Sequence, residues 1–396
     1  MRYQTSIAAT LTLTLAALVG SGSSASASSI VEAQGTVEIK RSGWSSYRPV
    51  GIGTTIEQGD MVQTAAGATA KVLCDDLTFW QIPSGSTSTV DKGCPSARAK
   101  QEHRPGGANV SIPYTISPRY TYLLNGKPTL SWNAVPNAKT YLVKLEGGDL
   151  RWQTEVAGTE VVYSGEKPLV AGVQYKFTVE ADTGVSSLDG GSANLGFALL
   201  REEDVKLVTE EVAKIAQLNL TPEGKAIALA KVYSTFQLHA DAIQTLEALA
   251  KQGSKSASLY QMLGDIYAGT GLNLLAEQSY SEAVKLASAP QDWSVLSQAQ
   301  LGLVGVKMIL GKTEEAQQIA NTIKAGHQQA EDPEMTAKLE RSLSMSPQSG
   351  SPNSRPSTVT KRGGPSVESP SMENQTEDVI VPPAPKISRP EAAGFS

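Results

Sequence analysis

The stretch LGDIYAGTG, Leu263 to Gly271, sets Asp265 and Tyr267 among Gly264, Gly269 and Gly271. Two chemistries use such residues. A glycine-rich run lets backbone N–H groups cradle a phosphate, and an acid beside glycine can hold a metal ion. Neither finds support elsewhere in the chain. The three histidines, His103, His239 and His327, fall in separate segments without metal-ligand spacing. The sequence has no nucleophile elbow, phosphate loop or zinc pattern. The reading is therefore of a protein that is not an enzyme, with no catalytic residue, no metal ligand and no cofactor. Cys74 and Cys94 are the two cysteines. An even count in an exported chain reads as one disulfide, and closing a loop of about 20 residues is worth ~3 kcal/mol. The alternative is a thiol nucleophile with His103 as its base. No motif surrounds Cys94, and an oxidising compartment removes free thiols.

Export is argued from the N-terminus. Arg2 is followed by an apolar run from Ile7 to Val19, then by small residues ending in Ala25-Ser26-Ala27. This is the order of a secretory signal peptide over residues 1–27, with the mature chain beginning near Ser28. An uncleaved anchor is the competing reading. The apolar run is short of the ~20 residues that span a bilayer, and no later stretch is long enough. No cysteine follows it to carry a lipid. The expected location is periplasmic or extracellular, with no membrane span in the mature chain. Net charge is -5 over 396 residues, with no concentrated basic face, so nucleic acid is not an expected partner.

The length suggests two to four domains. Over residues 28–96, GTVEIKR, DMVQT, ATAKVLC and LTFWQIP alternate apolar and polar residues between Gly/Asp turns, which predicts short strands. Gly35, Val37, Trp44, the Val50–Ile56 segment, Gly59-Asp60, Val62 and Thr64 give this region a pattern that resembles the FecR-like domain. In membrane sensors of that family the domain lies outside the inner membrane and takes part in signalling. This chain has neither the cytoplasmic segment nor the span of those sensors, so the resemblance implies the module and not that role. Asp60 is read as a turn residue, with a ligand role as the alternative.

Residues 97–115 are polar, basic and punctuated by Gly and Pro, and read as a linker with His103 solvated. Over residues 116–182, Trp132, Tyr141, Val143 and Leu145, and later Tyr175, Phe177 and Val179, recur at strand spacing. Trp132, the Ala138–Tyr141 pair and the Leu169–Tyr175 corner resemble a fibronectin type III-like domain, which implies a β-sandwich. Trp152 is either packed on that sandwich or an exposed platform for a glycan. Residues 183–200 are rich in Gly and Ser and read as a second linker.

From residue 201 the composition shifts to Ala, Leu, Glu, Lys and Gln. Val205, Val208, Val212 and Ile215 mark one amphipathic helix. Ala230, Tyr233, Ala242 and Leu246 then recur 34 residues later as Gly264, Tyr267, Ala276 and Tyr280. With Tyr260, Leu263, Gly271, Ala283 and Pro290, this pattern resembles tetratricopeptide repeats. A third copy, with Gly311, Ala316, Ala320 and Ile323, slips by about six residues near Trp293, so its first helix is expected to be longer. The helix at Val205 and the segment MTAKLERSL are expected to cap the array over residues 201–343. Residues 344–396, rich in Ser, Pro and Gly, read as a disordered tail, with VIVPPAP as a candidate docking motif.

The expected fold is thus multidomain: an all-β module, a β-sandwich, an α-helical repeat array and a tail. The resemblance to tetratricopeptide repeats implies a concave groove lined by the first helix of each pair. Lys231, Ser234, Gln261, Asp265, Gln298 and Met308 are its expected exposed positions, suited to a protein or peptide partner in the envelope. Two further readings stay open. One is a glycan-binding protein acting through the β modules, and the other is an extracytoplasmic part of a FecR-type signalling system.

Overall fold

The computed structural model describes residues 24–25, 28–94, 100–101, 104, 106–165, 167–190, 195–287, 292–328, 333–344 and 381. Most of the expected signal peptide, His103, Pro290 and nearly all of the expected tail lie outside these residues.

The first β region follows from period-2 alternation. Its elements are β1 (Ser24–Ala25), β2 (Ser28–Gln34), β3 (Val37–Lys40), β4 (Arg48–Val50), β5 (Thr55–Ile56), β6 (Met61–Thr64), β7 (Thr69–Leu73), β8 (Phe79–Ile82), β9 (Thr87–Thr89), the turn α1 (Val90–Gly93) and β10 (Lys100–Gln101). They form two four-stranded sheets, β5-β2-β7-β8 and β4-β3-β6-β9, while β1 pairs with β10. The inward residues Ile30, Val37, Ile39, Val62, Val72 and Ile82 make one apolar core. Cys74 and Cys94, buried in the same core, are bonded to each other, as the paired count implies. Asp60 closes a turn by accepting from the Glu57 N–H at 3.0 Å.

The second β region comprises β11 (Thr115–Ser117), β12 (Thr121–Leu123), β13 (Thr129–Trp132), β14 (Tyr141–Gly147), β15 (Leu150–Val156), β16 (Glu160–Val162), β17 (Gln174–Ala181) and β18 (Phe197–Leu199). A sheet β11-β13-β16 and a sheet β12-β18-β17-β14-β15 enclose a common core around Leu130, Trp132, Val143, Leu145 and Phe177. The Tyr175 hydroxyl accepts from the Val170 N–H at 2.8 Å, which ties the loop before β17 to that strand. β18 falls where a linker is expected. Phe197 explains the difference, because its ring is fully buried and stacks on Tyr175 at 5.7 Å.

A helical region follows: α2 (Glu202–Gln217), α3 (Pro222–Thr235), α4 (His239–Lys251), α5 (Ala257–Gly269), α6 (Asn273–Leu286), α7 (Trp293–Ile309), α8 (Thr313–Gln328) and α9 (Pro333–Leu343). Thr221 caps α3 by accepting from the Gly224 N–H, and Pro222 takes the first helical position, where a missing N–H costs nothing. Ser256 caps α5 in the same way through Leu259. Gly271 and Gly311, with φ near +73° and +75°, end α5 and α7 in the left-handed conformation that glycine adopts without strain. Consecutive helices pack on one another, and α3, α5, α7 and α9 also pack side by side. α7 has 17 residues against 13 in α5. Among the described residues no helix is long and apolar enough to cross a membrane.

Candidate functional site

The row of α3, α5 and α7 carries the residues expected to line an open groove. That face is covered by the first β region. The Lys231 ammonium on α3 lies 2.8 Å from Asp75, just beyond β7, with the two side chains only 6% and 12% exposed. Gly224 on α3 sits so close to β2 that an added Cβ would come within 2.1 Å of the Val31 carbonyl oxygen. On α5 the Ser258 hydroxyl donates to the Ile52 carbonyl at 2.6 Å. On α7 the Gln298 amide donates to the Thr55 hydroxyl, and Arg41 donates to the Ser294 hydroxyl at 3.0 Å. On α9 Lys338 reaches Glu57 at 2.8 Å.

An aromatic contact fastens the same interface. Trp293, at the start of α7, meets Trp44 edge to face with centroids 4.8 Å apart. The Arg48 guanidinium lies 4.3 Å from the Trp293 ring centroid and 4.8 Å from that of Trp44. Such cation–π contacts strengthen when shielded from water. The register slip expected near Trp293 falls at this same segment. Nothing in its periodicity says that the ring serves another domain.

The remaining expected groove residues also differ from open positions. Gln261 is 3% exposed and donates to the Asp265 carboxyl at 2.5 Å. Asp265 accepts a second bond from the Tyr280 hydroxyl at 2.6 Å. Burial pushes the Asp265 carboxyl up to about 7, partly offset by those two donors. Asp265 therefore joins α5 to α6 within the helical region. Met308 is buried with Ala316, Ala320, Ile323 and Leu339, because it lies on the side of α7 that meets α8 and α9. Ser234 is half-buried near the end of α3. The structure thus brings Lys231 and Gln298 onto one surface, occupied by the chain's own β region. It leaves Gln261, Asp265 and Met308 in helix-to-helix packing.

The segment expected as the first linker is likewise bound. The Arg104 N–H donates to the Ala268 carbonyl at 3.0 Å, and the Leu274 N–H donates to the Gly107 carbonyl at 3.1 Å. The Asn273 amide donates to the carbonyls of Arg104 and Gly106 at 3.0 and 2.8 Å. Arg119, 5% exposed, donates to the Thr270 carbonyl at 2.7 Å, and burial lowers its pKa to about 10. These contacts grip the α5–α6 turn.

One part of the interface stays open. A cleft of about 740 Å³ runs between the β2–β3 turn and β4 on one side and the starts of α3, α5 and α7 on the other. Gly35, Thr36, Pro49 and Gly51 form the first wall, and Glu223, Ser256 and Asp292 stand on the second. The Glu223 carboxyl accepts from the Ser256 hydroxyl. Burial raises its pKa, the Ser256 bond lowers it in part, and the nearby Asp292 charge raises it again. Among the described residues no three His, Cys, Asp or Glu side chains converge as a metal site. Trp152, the candidate glycan platform, is half-buried and meets Tyr163 edge to face at 5.3 Å. Comparison with protein-family models finds no match to the chain. A search of curated proteins likewise finds no relative of significant similarity.

Proposed function

We propose that the chain is an exported, non-enzymatic scaffold of the cell envelope that binds a polypeptide partner. In this reading a FecR-like module sits on the first helices of a tetratricopeptide array, and a fibronectin type III-like domain braces the assembly. The observation that carries the reading is the cleft of about 740 Å³, which lies on the row of first helices where the β region leaves it uncovered. The packing of α3, α5 and α7 side by side supports the array, as does the spacing of the left-handed residues that end them. The glycan reading would rest on Trp152, which is half-buried and packed against Tyr163.

The test uses the full chain in its native envelope. A photoreactive side chain at Thr36 or Lys255, both exposed and both lining the cleft, is expected to capture the same polypeptide. One at Lys206, on the exposed face of α2, is expected not to capture it. Capture that is equal at all three positions, or absent from the cleft, would overturn the proposal.

A further inference from the structure

We propose that the chain forms a two-fold dimer in which strand β15 pairs with β15 of a second copy, antiparallel and centred on Gln153. The five-stranded sheets of the two copies then continue into each other. This surface is separate from the cleft.

Three observations carry it. The first is the open edge. β15 ends one side of the sheet β12-β18-β17-β14-β15 and pairs with β14 alone. The other side is covered, since the Tyr122 N–H of β12 donates to the Gln237 carbonyl just before α4 at 2.9 Å. β15 has seven residues, while the other edge strands among the described residues have two to four. Proteins ordinarily blunt a long edge with proline, a bulge or lysine. LRWQTEV holds no proline and no lysine, and its register with β14 is unbroken from Leu150 to Val156.

The second is which backbone groups face out. Gly147 and Leu150 close a two-residue hairpin turn, with Gly148 at φ +52°. Hydrogen-bonded and non-hydrogen-bonded pairs alternate from there. Trp152, Thr154 and Val156 therefore bond to β14, and Arg151, Gln153 and Glu155 turn their N–H and C=O groups outward. These three are also the exposed residues of the strand. A partner strand centred on Gln153 meets all three in hydrogen-bonding register, with about six N–H···O bonds.

The third is charge, and it selects a second copy as the partner. Arg151 and Glu155 stand two residues to either side of Gln153. Antiparallel pairing about Gln153 sets Arg151 of each copy opposite Glu155 of the other, and opposite charges directly across a pair attract. Among the described residues Glu155 has no ion pair of its own, and that of Arg151, to Glu146 at 3.4 Å, is exposed. A slip of two residues one way brings Asp149 against Glu155, and the other way leaves Glu155 opposite Gln153. Parallel pairing in register sets Arg151 against Arg151. The strand is thus complementary to itself in one register, as an isologous interface requires.

The experiment is sedimentation velocity of the full chain over a concentration series, for wild type, Arg151→Glu, Glu155→Arg and an equal mixture of the two variants. Wild type is expected to pass from monomer to dimer as concentration rises. Each variant alone sets like charges opposite each other at both ends of the paired strands, and should weaken the dimer roughly tenfold or more. Mixing the variants should restore it as a heterodimer, because one copy then carries two acids and the other two arginines. Misfolded variants would not recover in this way. Gln153→Pro, which removes the central N–H and leaves the charges alone, should also abolish the dimer. A wild type that stays monomeric to its solubility limit would overturn the proposal, and so would one whose β15 pairs with a different polypeptide instead. A dimer that survives both charge variants, or variants that separate and do not recombine, would overturn it as well.

Discussion

Tyr280 lies in a slot that two glycines keep open. A Cβ added at Gly264 would come within 2.5 Å of its ring, and one at Gly302 within 2.4 Å. Neither ring nor helix can yield cheaply, since Tyr280 is 1% exposed and bonded through its hydroxyl to Asp265. Gly264→Ala is therefore predicted to destabilise the protein by about 1–3 kcal/mol, measured as a lower urea midpoint. Asp265 yields a second prediction, in pH. Its folded pKa is raised to about 7, so its stabilising contribution is full below the unfolded value near 3.8 and is lost as pH rises toward 7. His239 works the other way. Burial and Arg104 lower its pKa to about 4, so its contribution is present above 6.5 and lost as pH falls. Asp265→Asn leaves an acceptor for Tyr280 and removes the first dependence. Its thermal midpoint relative to wild type should rise between pH 4 and pH 7, and a flat difference would refute the assignment. The repeat spacing made the packing role of Gly264 legible in the sequence. The role of Asp265 was not, because a polar residue one position off a packed stripe reads the same whether it meets solvent or a neighbour's hydroxyl.

The elements themselves were the most legible. Period-2 and helical spacing mark strands and helices because burial of one face dictates both patterns. Left-handed residues stand just after α3, α5 and α7, at Gln237, Gly271 and Gly311. The segments between elements were less legible. A polar, glycine-containing stretch such as residues 104–110 has one composition whether water or another main chain satisfies its backbone groups. The contact of α3 with the β region was invisible for a similar reason. Lys231 and Asp75 are 156 residues apart in sequence, and each alone reads as a surface charge. Together they form a buried pair. Asp75→Ala would leave the Lys231 ammonium buried without its carboxylate, and is predicted to cost ~3–5 kcal/mol, read from chemical denaturation. Replacing both, as Asp75→Leu with Lys231→Met, should recover most of that loss.

At the scale of the molecule, the first β region, the backbone at Arg104, Gly106 and Gly107, and the helices are bound into one arrangement by polar and aromatic contacts. The Trp44–Arg48–Trp293 stack is the aromatic part of that fastening. Calorimetry of the intact chain is predicted to show the first β region and the helices unfolding in a single transition. Trp293→Ala should separate them into two, with earlier proteolytic cutting between β9 and β11. A wild-type protein that already unfolds in two separate steps would refute the coupling.

The sequence distance across this interface also bears on how the chain is made. Glu57 waits 281 residues for Lys338, and Arg41 waits 253 for Ser294. At the ~5–20 residues per second of synthesis, that is a delay of roughly 15–60 s between the appearance of the two sides. Throughout it, the helix-facing side of the β region, with Trp44 and Arg48, lacks its cover. Such non-local closure is slow and leaves apolar surface open to wrong partners. The long reach across this interface thus leaves the Trp44 face bare in any chain whose helices have yet to fold.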